Sequence, residues 1–183
     1  MSEKRTERIV IFIDGSNLYH ILKNIYRDSK NLNEFNFEKF IKFLTREREY
    51  VKTYYYNTRL DITKNPKKYS DQQRFFDSLS KIPYFNLVLC RMQKVKKDGR
   101  TTYEVKEDDI NLAVDMVEGA WNDKFDIAIL VSSDGDFVPS VKSIKRSGKK
   151  VENVGFFNKF SYHLKQECSV FRKLNKEELD KFF

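Results

Sequence analysis

The chain has few of the residues from which thiolate metal sites and membrane spans are built. Only two of its 183 residues are cysteines, Cys90 and Cys168, and they lack the paired spacing of a zinc site or a redox motif. No apolar run approaches the roughly 18 residues that cross a membrane. The charged N-terminus before the first apolar run is not typical of a signal peptide. We therefore expect a cytoplasmic protein with reduced thiols and no membrane partner.

Several enzyme classes are disfavoured by motifs that the sequence lacks. No segment fits the phosphate-binding loop G-x-x-x-x-G-K-[ST]. Neither His20 nor His163 lies in a pattern that suggests a base for a serine nucleophile. A phosphatase of the haloacid dehalogenase type would need a second aspartate two residues after Asp14, where Ser16 stands instead.

The composition predicts one globular domain whose positive charge either attracts polyanions or only keeps the protein soluble. Hydrophobic residues make up 40% of the chain, which excludes a disordered class although 34% of the residues are charged. We expect a single domain over residues 1–183, with a core at about 8–157 and a C-terminal extension at 158–183. The 35 Lys and Arg exceed the 27 Asp and Glu by 8, a balance that favours binding to phosphates. The oligomeric state is not readable from the sequence.

Strands and helices alternate along the chain. Apolar and β-branched runs predict strands at 8–13, 50–56, 84 onwards, 127–131 and 149–157. Helical spacing predicts helices at 15–27, from Asn36, at 69–81, at 109–121 and from about 137 to Gly148. The segment 57–67 is expected to be a loop, and Asp98-Gly99 the turn of a hairpin. This alternation predicts an α/β protein with three layers and a mostly parallel central sheet.

Aspartates follow two of the predicted strands. Asp14 ends the first strand, and Asp134 and Asp136 come directly after the strand at 127–131. A lone aspartate at such a place is ordinarily a turn or capping residue. Open α/β sheets bind ligands at the carboxyl ends of their strands, however, and we expect these two strand ends to come together. Asp136 would be either a ligand or the cap of the following helix.

The helix at 109–121 begins next to a further pair of acids, Asp108 and Asp109. Angular spacing predicts a core face of Ile110, Ala113, Val114 and Val117 and a polar stripe of Asp108, Asn111, Asp115 and Glu118. Asp109 would be a cap or a ligand, and Asp115 is by default a solvated residue. Crowded carboxylates raise each other's pKa and are usually neutralised by a hard cation. Oxygen ligands without nearby His or Cys favour Mg²⁺ or Mn²⁺.

Other polar and basic residues surround these acids in the sequence. The serines and the asparagine beside the strand ends would bond phosphate or orient carboxylates: Ser16, Asn17, Ser132 and Ser133. The basic residues of the predicted hairpin would grip a phosphate backbone, unless they are only a solvated charge run: Arg91, Lys94, Lys96, Lys97 and Arg100. The basic residues of the last crossover, from the helix that begins near 137 to the strand at 149–157, would likewise either bind phosphate or be a solvated charge run: Lys142, Lys145, Arg146, Lys149 and Lys150. Tyr103 would stack a base or pack in its strand.

Three blocks together resemble the NYN family of PIN-like metal-dependent ribonucleases. They are IFIDGSNLY at 11–19, KEDDINLAVDM at 106–116 and DIAILVSSDGDFVPSVKSIKRSGKKVENVGF at 126–156. The resemblance implies a Rossmann-like PIN fold, one or two Mg²⁺ or Mn²⁺ ions and hydrolysis of RNA phosphodiesters. By position, the residues that match the acidic metal site are Asp14, Asp109, Asp134 and Asp136. Asn17 matches the polar residue beside that site, and Asp115 a further acidic position.

The middle block departs from the family pattern. Glu107 and Asp108 stand where the family often has a glycine and an apolar residue, which leaves open whether Asp108 or Asp109 faces the metal. The working hypothesis is two-metal hydrolysis, in which Asp134 and Asp14 hold an ion that activates water and Asp109 and Asp136 help to hold a second. The alternative is a catalytically silent RNA-binding or regulatory module of the same fold. RNA class, preference for RNA over DNA, and endo- or exonucleolytic action are not readable.

Overall fold

Six parallel strands form the central sheet in the part of the chain that the structure describes. The computed structural model describes residues 6–27, 29–90 and 107–183, and between 90 and 107 only the backbone of two strands. The strands are β1 (Arg8–Asp14), β2 (Glu49–Thr58), β3 (Phe85–Cys90), β4 (Met92–Lys97), β5 (Arg100–Val105), β6 (Ile127–Val131), β7 (Lys150–Phe156) and β8 (Val170–Leu174). The sheet has the order β3-β2-β1-β6-β7-β8, and all its neighbouring strands are parallel. The predicted α/β class is confirmed.

Seven α-helices connect or follow the strands in the described part of the chain. They are α1 (Gly15–Tyr26), α2 (Phe37–Thr45), α3 (Pro66–Leu79), α4 (Asp108–Trp121), α5 (Val138–Arg146), α6 (Tyr162–Glu167) and α7 (Lys176–Asp180). Asn36 caps α2 as predicted, because its side chain accepts a hydrogen bond from the Lys39 amide at 2.9 Å. The loop predicted at 57–67 is shorter than expected. Strand β2 runs to Thr58, and α3 begins at Pro66, whose missing N–H costs nothing in a first turn.

Apolar side chains pack on both faces of the sheet, so that the fold has three layers. On one face, Ile9, Ile11 and Ile13 of β1 pack with buried residues of α1, α2, α3 and α7. On the other face, Val10 and Phe12 pack with α4, α5 and α6. This alternation along one strand is the period of two that a buried strand requires. Helices α1 and α5, which follow β1 and β6, therefore lie on opposite faces.

Helix α4 presents a different face to the sheet from the one that the sequence predicted. Leu112 and Met116 are fully buried, whereas Ile110 is 63% and Val114 47% exposed. The helix carries apolar residues on two overlapping faces, and packing decides between them. A methyl group on Gly119 would come within 2.7 Å of the Phe125 ring, so the glycine allows the helix to approach the sheet on the Leu112 side. The predicted core face at Ile110 and Val114 is therefore wrong.

The predicted hairpin is present as an antiparallel pair of strands. Strand β4 pairs with β5 from Met92↔Val105 to Lys97↔Arg100. Its turn at 98–99 and Arg91 lie outside the described residues. The same holds for the side chains of the other residues expected to grip RNA or stack a base, Lys94, Lys96, Lys97, Arg100 and Tyr103.

The C-terminal residues pack against the face that carries α2. Phe182 is buried, and its carbonyl oxygen accepts a hydrogen bond from the Asn36 amide at 2.6 Å. Its ring packs edge-on against Phe35 and Phe40. The expectation of short helices and an edge strand after residue 158 is met by α6, β8 and α7. None of the helices in the described ranges is long and apolar enough to span a bilayer.

Candidate active site

The order of the strands creates a crevice between β1 and β6. From β1 the chain adds β2 and β3 on one side, and later returns to add β6, β7 and β8 on the other side. The helices that follow β1 and β6 lie on opposite faces, so their connections diverge at the carboxyl ends of these strands. Such a switch point is where open α/β sheets bind ligands. The two strand ends that carry Asp14 and Asp134 thus meet at this place.

Asp14 is held at the switch point by two hydrogen bonds. Its Oδ1 accepts from the Asn17 amide at 2.9 Å, which caps α1, and its Oδ2 accepts from the Ser132 hydroxyl at 3.0 Å. The side chain is buried, with the residue only 5% exposed. Burial raises the pKa of Asp14 to about 7, although both hydrogen bonds lower it; the charges of Asp109 and Asp108 raise it further. The capping role and a possible ligand role therefore fall on one carboxylate.

The turn after β6 is organised by serine and aspartate side chains. The Ser132 Oγ that donates to Asp14 also accepts from the Asp134 amide at 3.1 Å. The Asp134 Oδ1 accepts from the Asp136 amide at 2.9 Å and so caps a short 3₁₀ turn at Gly135–Phe137. Helix α5, which follows this turn, begins without a side-chain cap, and the Asp136 side chain is exposed. The alternative of Asp136 as a helix cap is wrong.

Asn17 and Ser133 tie the two strand ends together. The Ser133 amide donates to the Asn17 Oδ1 at 3.1 Å, and the Ser133 hydroxyl donates to the Lys159 carbonyl at 2.9 Å. Ser16, one residue before Asn17, lines a cavity beside this site. Of the side chains expected to orient carboxylates, Ser132 does so by its hydrogen bond to Asp14. Asn17 and Ser133 instead hold the loops that carry the acids.

Helix α4 brings Asp108 and Asp109 to the same edge of the sheet. Asp108 is buried, and its Oδ1 accepts from the Asp109 amide at 3.2 Å. Partial burial raises the pKa of Asp109 to about 6, and the charges of Asp108, Asp134 and Asp136 raise it further. The Asp109 carboxyl group therefore interacts electrostatically with the acids of the turn after β6. We call the group Asp14, Asp108, Asp109, Asp134 and Asp136 the acidic crevice.

Asp115 makes a different contact. Its Oδ2 accepts a hydrogen bond from the buried Tyr56 hydroxyl at 2.7 Å. Burial, followed by this bond to Asp115, raises the pKa of Tyr56. The default expectation of a solvated Asp115 is wrong, since the residue is partly buried and bonded to β2. Tyr56 was not singled out by the sequence, where it is one of three consecutive tyrosines in a strand.

Asn153 is a second residue that the sequence did not single out. It is fully buried in β7, and its Nδ2 donates to the carbonyls of Leu130 at 3.1 Å and Ser132 at 2.9 Å. Within the described residues its Oδ1 has no hydrogen-bond partner. The sequence signal is a pair of polar residues, Glu152 and Asn153, inside the otherwise apolar stretch VENVGF. Asn153 fixes the carbonyl of the serine that orients Asp14.

Four of the five basic residues of the last crossover, Lys142, Lys145, Lys149 and Lys150, form ion pairs with acids. Lys145 Nζ lies 2.9 Å from Glu167 Oε1, and Lys150 Nζ lies 2.8 Å from Glu7 Oε1. Lys149 forms ion pairs with Asp123 and Asp126. Lys150 begins β7, so it stands at the amino edge of the sheet, opposite the acidic crevice. The hypothesis that Lys149 and Lys150 bind the substrate is therefore wrong for an RNA chain bound at the carboxyl edge of the sheet.

The acidic crevice has the chemistry of a site for a hard cation. Every candidate ligand is a carboxylate, and across the described ranges no Lys or Arg forms an ion pair with these acids. No three His, Cys, Asp or Glu side chains of the described residues stand close enough to hold one metal ion as they are. The donor set fits Mg²⁺ or Mn²⁺ in kind, and a bound ion would require the carboxylates to move closer.

The fold and the site define a PIN-like α/β protein with carboxylates at its switch point. The NYN domain family matches residues 8–175, and the chain belongs to that family. Membership indicates a nuclease-like PIN fold and, in general, binding of nucleic acid. The family named from the sequence blocks is therefore confirmed.

Three relatives illustrate this similarity. The low amplitude and bright protein LabA of Synechococcus elongatus is 28% identical over 146 residues, which cover 77% of this chain and 69% of that protein. The uncharacterised protein MJ0482 of Methanocaldococcus jannaschii is 34% identical over 74 residues, 40% of this chain and 31% of that protein. The crystal structure of VPA0982 from Vibrio parahaemolyticus, a protein of unknown function, is similar over 97% of this chain and 98% of that one, with 28% identity and a TM-score of 0.73.

Proposed function

We propose that the protein is a metal-dependent ribonuclease that hydrolyses RNA phosphodiester bonds at the acidic crevice. The observation that carries the proposal is Asp14, a buried carboxylate at the switch point whose pKa is raised to about 7. A buried acid that crowds other acids without a cationic partner is costly, and a divalent ion would remove that cost. Membership of the NYN family supports the same reading.

In this proposal Asp14, Asp109 and Asp134 hold Mg²⁺ or Mn²⁺, together with Asp136. A divalent ion held there would polarise the phosphate and lower the pKa of a bound water. Asp14 has to lose its proton to serve as a ligand, and the Ser132 hydroxyl and the Asn17 amide fix the direction of its oxygens. The serines of the site serve as orienting groups, and no side chain is needed as a nucleophile.

A second function, a catalytically silent RNA-binding or regulatory module, is favoured by one observation. In the described part of the chain the carboxylates do not stand close enough to hold a metal ion without rearrangement. A protein that had lost catalysis would keep the hydrogen bonds of Asp14 and Ser132, because they cap α1 and close the turn after β6. Both functions would include RNA binding, and only the first would include RNA cleavage.

A cleavage assay separates the two functions. Purified protein is incubated with a 5′-labelled single-stranded RNA, and with a DNA of the same sequence, in Mg²⁺, Mn²⁺ or EDTA. Cleavage of RNA by the wild type should disappear in EDTA and fall at least about 100-fold in Asp14→Asn and Asp134→Asn, because each removes a ligand charge. The matched control is Asp77→Asn, which changes an exposed aspartate of α3.

Each result of this assay has a defined meaning. Cleavage that persists in both crevice variants would indicate a contaminating nuclease and contradict the assignment of the site. RNA binding without cleavage in either metal would favour the silent module. Equal cleavage of the DNA strand would contradict the choice of RNA as substrate.

A further inference from the structure

Aromatic and basic side chains cover the carboxyl ends of β7 and β8, next to the acidic crevice. In the sheet order β1-β6-β7-β8, strand β8 lies two strand spacings, about 10 Å, from β6, whose turn carries Asp134 and Asp136. The covering residues belong to the segment that follows β7 and to the end of β8. We call them the aromatic-lysine surface, and they are Phe157, Lys159, Phe160, Tyr162 and Lys173.

This surface contacts the turn after β6. The hydroxyl of Ser133, the residue before Asp134, donates a hydrogen bond to the Lys159 carbonyl at 2.9 Å. A Cβ on Gly135 would lie 3.2 Å from the Ser161 Oγ, so the backbone of the short 3₁₀ turn packs against the segment after β7. A polynucleotide that crosses the carboxyl edge from the crevice towards β8 therefore meets the aromatic-lysine surface.

The rings of this surface face solvent. Tyr162 is 60%, Phe157 43% and Phe160 37% exposed. Phe157 stands at the tip of a tight turn that is closed by two backbone hydrogen bonds. In this turn the Phe156 amide donates to the Lys159 carbonyl at 2.9 Å, and the Lys159 amide donates to the Phe156 carbonyl at 3.1 Å. The turn thus holds an exposed ring at a fixed place on the carboxyl edge.

Phe160 is held by packing and carries a positive charge beside its ring. It lies over Gly155 of β7, where a Cβ would come within 2.7 Å of the Phe160 Cβ. The centre of its ring is 5.5 Å from that of Phe171 on β8 and 5.7 Å from the Lys173 Nζ. A ring and an ammonium group therefore stand side by side, as the base and the phosphate of a nucleotide do.

The lysines of this surface have no acid that neutralises them. Within the described ranges, neither Lys159 nor Lys173 forms an ion pair. Lys149 and Lys150, at the amino edge, are both paired. The sequence from 157 to 166 contains two lysines and no acid. Exposed rings beside lysines without acidic partners suit single-stranded nucleic acid, whose bases stack on rings and whose phosphates contact basic groups.

We propose that the aromatic-lysine surface binds the single-stranded RNA next to the phosphate that lies in the acidic crevice. Phe157 and Tyr162 stack on bases of that strand, and Lys159 and Lys173 contact its phosphates. The inference rests on the proposed action on RNA. It adds a surface that selects single strands, because the bases of a duplex are stacked on each other and cannot stack on a protein ring. A protein partner would also cover exposed rings, but the lysines favour a polyanion.

RNA binding in EDTA tests the rings without catalysis. Without metal the acidic crevice repels a phosphate backbone, so the affinity comes from the surfaces around it. A fluorescein-labelled single-stranded RNA of about 12 nucleotides is titrated with the protein, and fluorescence anisotropy gives the Kd. Phe157→Ala and Tyr162→Ala should each weaken binding at least about fivefold, since each removes a stacking ring. Tyr162→Phe, which keeps the ring, should bind within about twofold of the wild type. The same RNA in a duplex should bind the wild type at least about tenfold more weakly.

The salt dependence of the same binding tests the lysines. Each lysine that contacts a phosphate of a single strand contributes about 0.7 to the slope of log Kd against log salt concentration. The double variant of Lys159→Gln and Lys173→Gln should therefore lower this slope by about 1.4. The matched control combines Lys81→Gln and Lys124→Gln, which remove two exposed lysines before β3 and β6, at the amino edge. It should leave the slope unchanged, and Tyr84→Ala, at an exposed ring before β3, should leave the affinity unchanged.

The outcomes separate this surface from the ribonuclease proposal. The substituted side chains are exposed, so we expect the variants to fold. No RNA binding by the wild type, unchanged affinity in both ring variants, an unchanged slope in the lysine variant or equal binding of the duplex would overturn the proposal. Unchanged RNA binding with a changed oligomeric state in the ring variants, measured by light scattering, would assign the surface to a protein contact. Weaker RNA binding by the variants of a protein that does not cleave RNA would support the surface while the ribonuclease proposal fails.

Discussion

At the scale of single residues, the protonation of Asp14 links the site to stability. Its pKa in the folded protein is raised from 3.8 to about 7, so between these values the folded protein holds a proton that the unfolded chain has released. The free energy of unfolding of the metal-free protein should therefore fall as pH rises from about 4 to 7. Asp14→Asn removes the part of this dependence that comes from Asp14. Relative to the wild type, its free energy of unfolding should rise by roughly 1–4 kcal/mol from pH 4 to pH 8. Urea denaturation in EDTA at several pH values measures the free energy of unfolding, with Asp77→Asn as the control. A difference between Asp14→Asn and the wild type that does not change with pH would contradict the prediction.

Asn153 acts on the same site through the backbone. Its side chain amide holds two carbonyls at the end of β6, and one of them belongs to Ser132, which bonds Asp14. Asn153→Ala leaves these carbonyls without that donor and should cost about 1–3 kcal/mol of unfolding free energy. Asn158→Ala, at an exposed asparagine just past β7, is the control and should cost less than about 0.5 kcal/mol. Similar losses in the two variants by urea denaturation would show that the buried hydrogen bonds do not matter.

At the scale of elements, helix α4 allows a direct test of which face packs on the sheet. Met116 is fully buried and Val114 is 47% exposed, although the spacing of the sequence favours Val114 as a core residue. Met116→Ala should cost about 2–5 kcal/mol because it leaves a cavity. Val114→Ala should change the free energy of unfolding by no more than about 0.5 kcal/mol. Chemical denaturation of both variants measures the difference, and an equal cost would mean that the exposed face is covered.

The elements themselves could be predicted because their signals are local. The Asn36 cap, the apolar run of β6 and the helical spacing in α1 and α2 each lie within a few residues of the structure that they determine. The packed face of α4 was not predictable, because its apolar residues populate two faces and the choice depends on a contact between Gly119 and Phe125. The start of α3 is not predicted, because a proline in a polar segment is typical of a loop as well as of a first helical turn.

The acids of the site could be predicted, but most of their partners could not. Strand ends and family blocks pointed to Asp14, Asp109 and Asp134. Ser132 stands 118 residues from Asp14, and its hydroxyl reaches that carboxylate only because β1 and β6 are neighbours. The contacts of Tyr56 and Asn153 likewise require the order of the strands, which no local pattern in the sequence contains.

At the scale of the whole molecule, the acids at the two edges of the sheet have pKa values shifted in opposite directions. At the amino edge, Asp126 accepts hydrogen bonds from the Arg8 side chain, and that interaction lowers the pKa of Asp126. At the carboxyl edge, burial and neighbouring acids raise the pKa of Asp14 and Asp109. A chain with a net charge of +8 thus keeps these acids without a basic partner in its described residues. This separation is what a cation-binding edge requires, because a paired lysine or arginine would compete with the ion.

The last prediction follows from this separation and concerns the unfolding of the whole protein. An ion that binds the folded state alone stabilises it by about 2.7 kcal/mol at 100 times its Kd, which for a chain of this size raises Tm by roughly 5–10 °C. Because binding requires Asp14 and Asp109 to lose protons, with pKa values near 7 and 6, Mn²⁺ should raise Tm more at pH 8 than at pH 5.5. Calorimetric scans with Mn²⁺ or EDTA at both values measure this. The increase should vanish in Asp14→Asn and persist in Asp77→Asn; an equal increase in both variants would place the ion elsewhere.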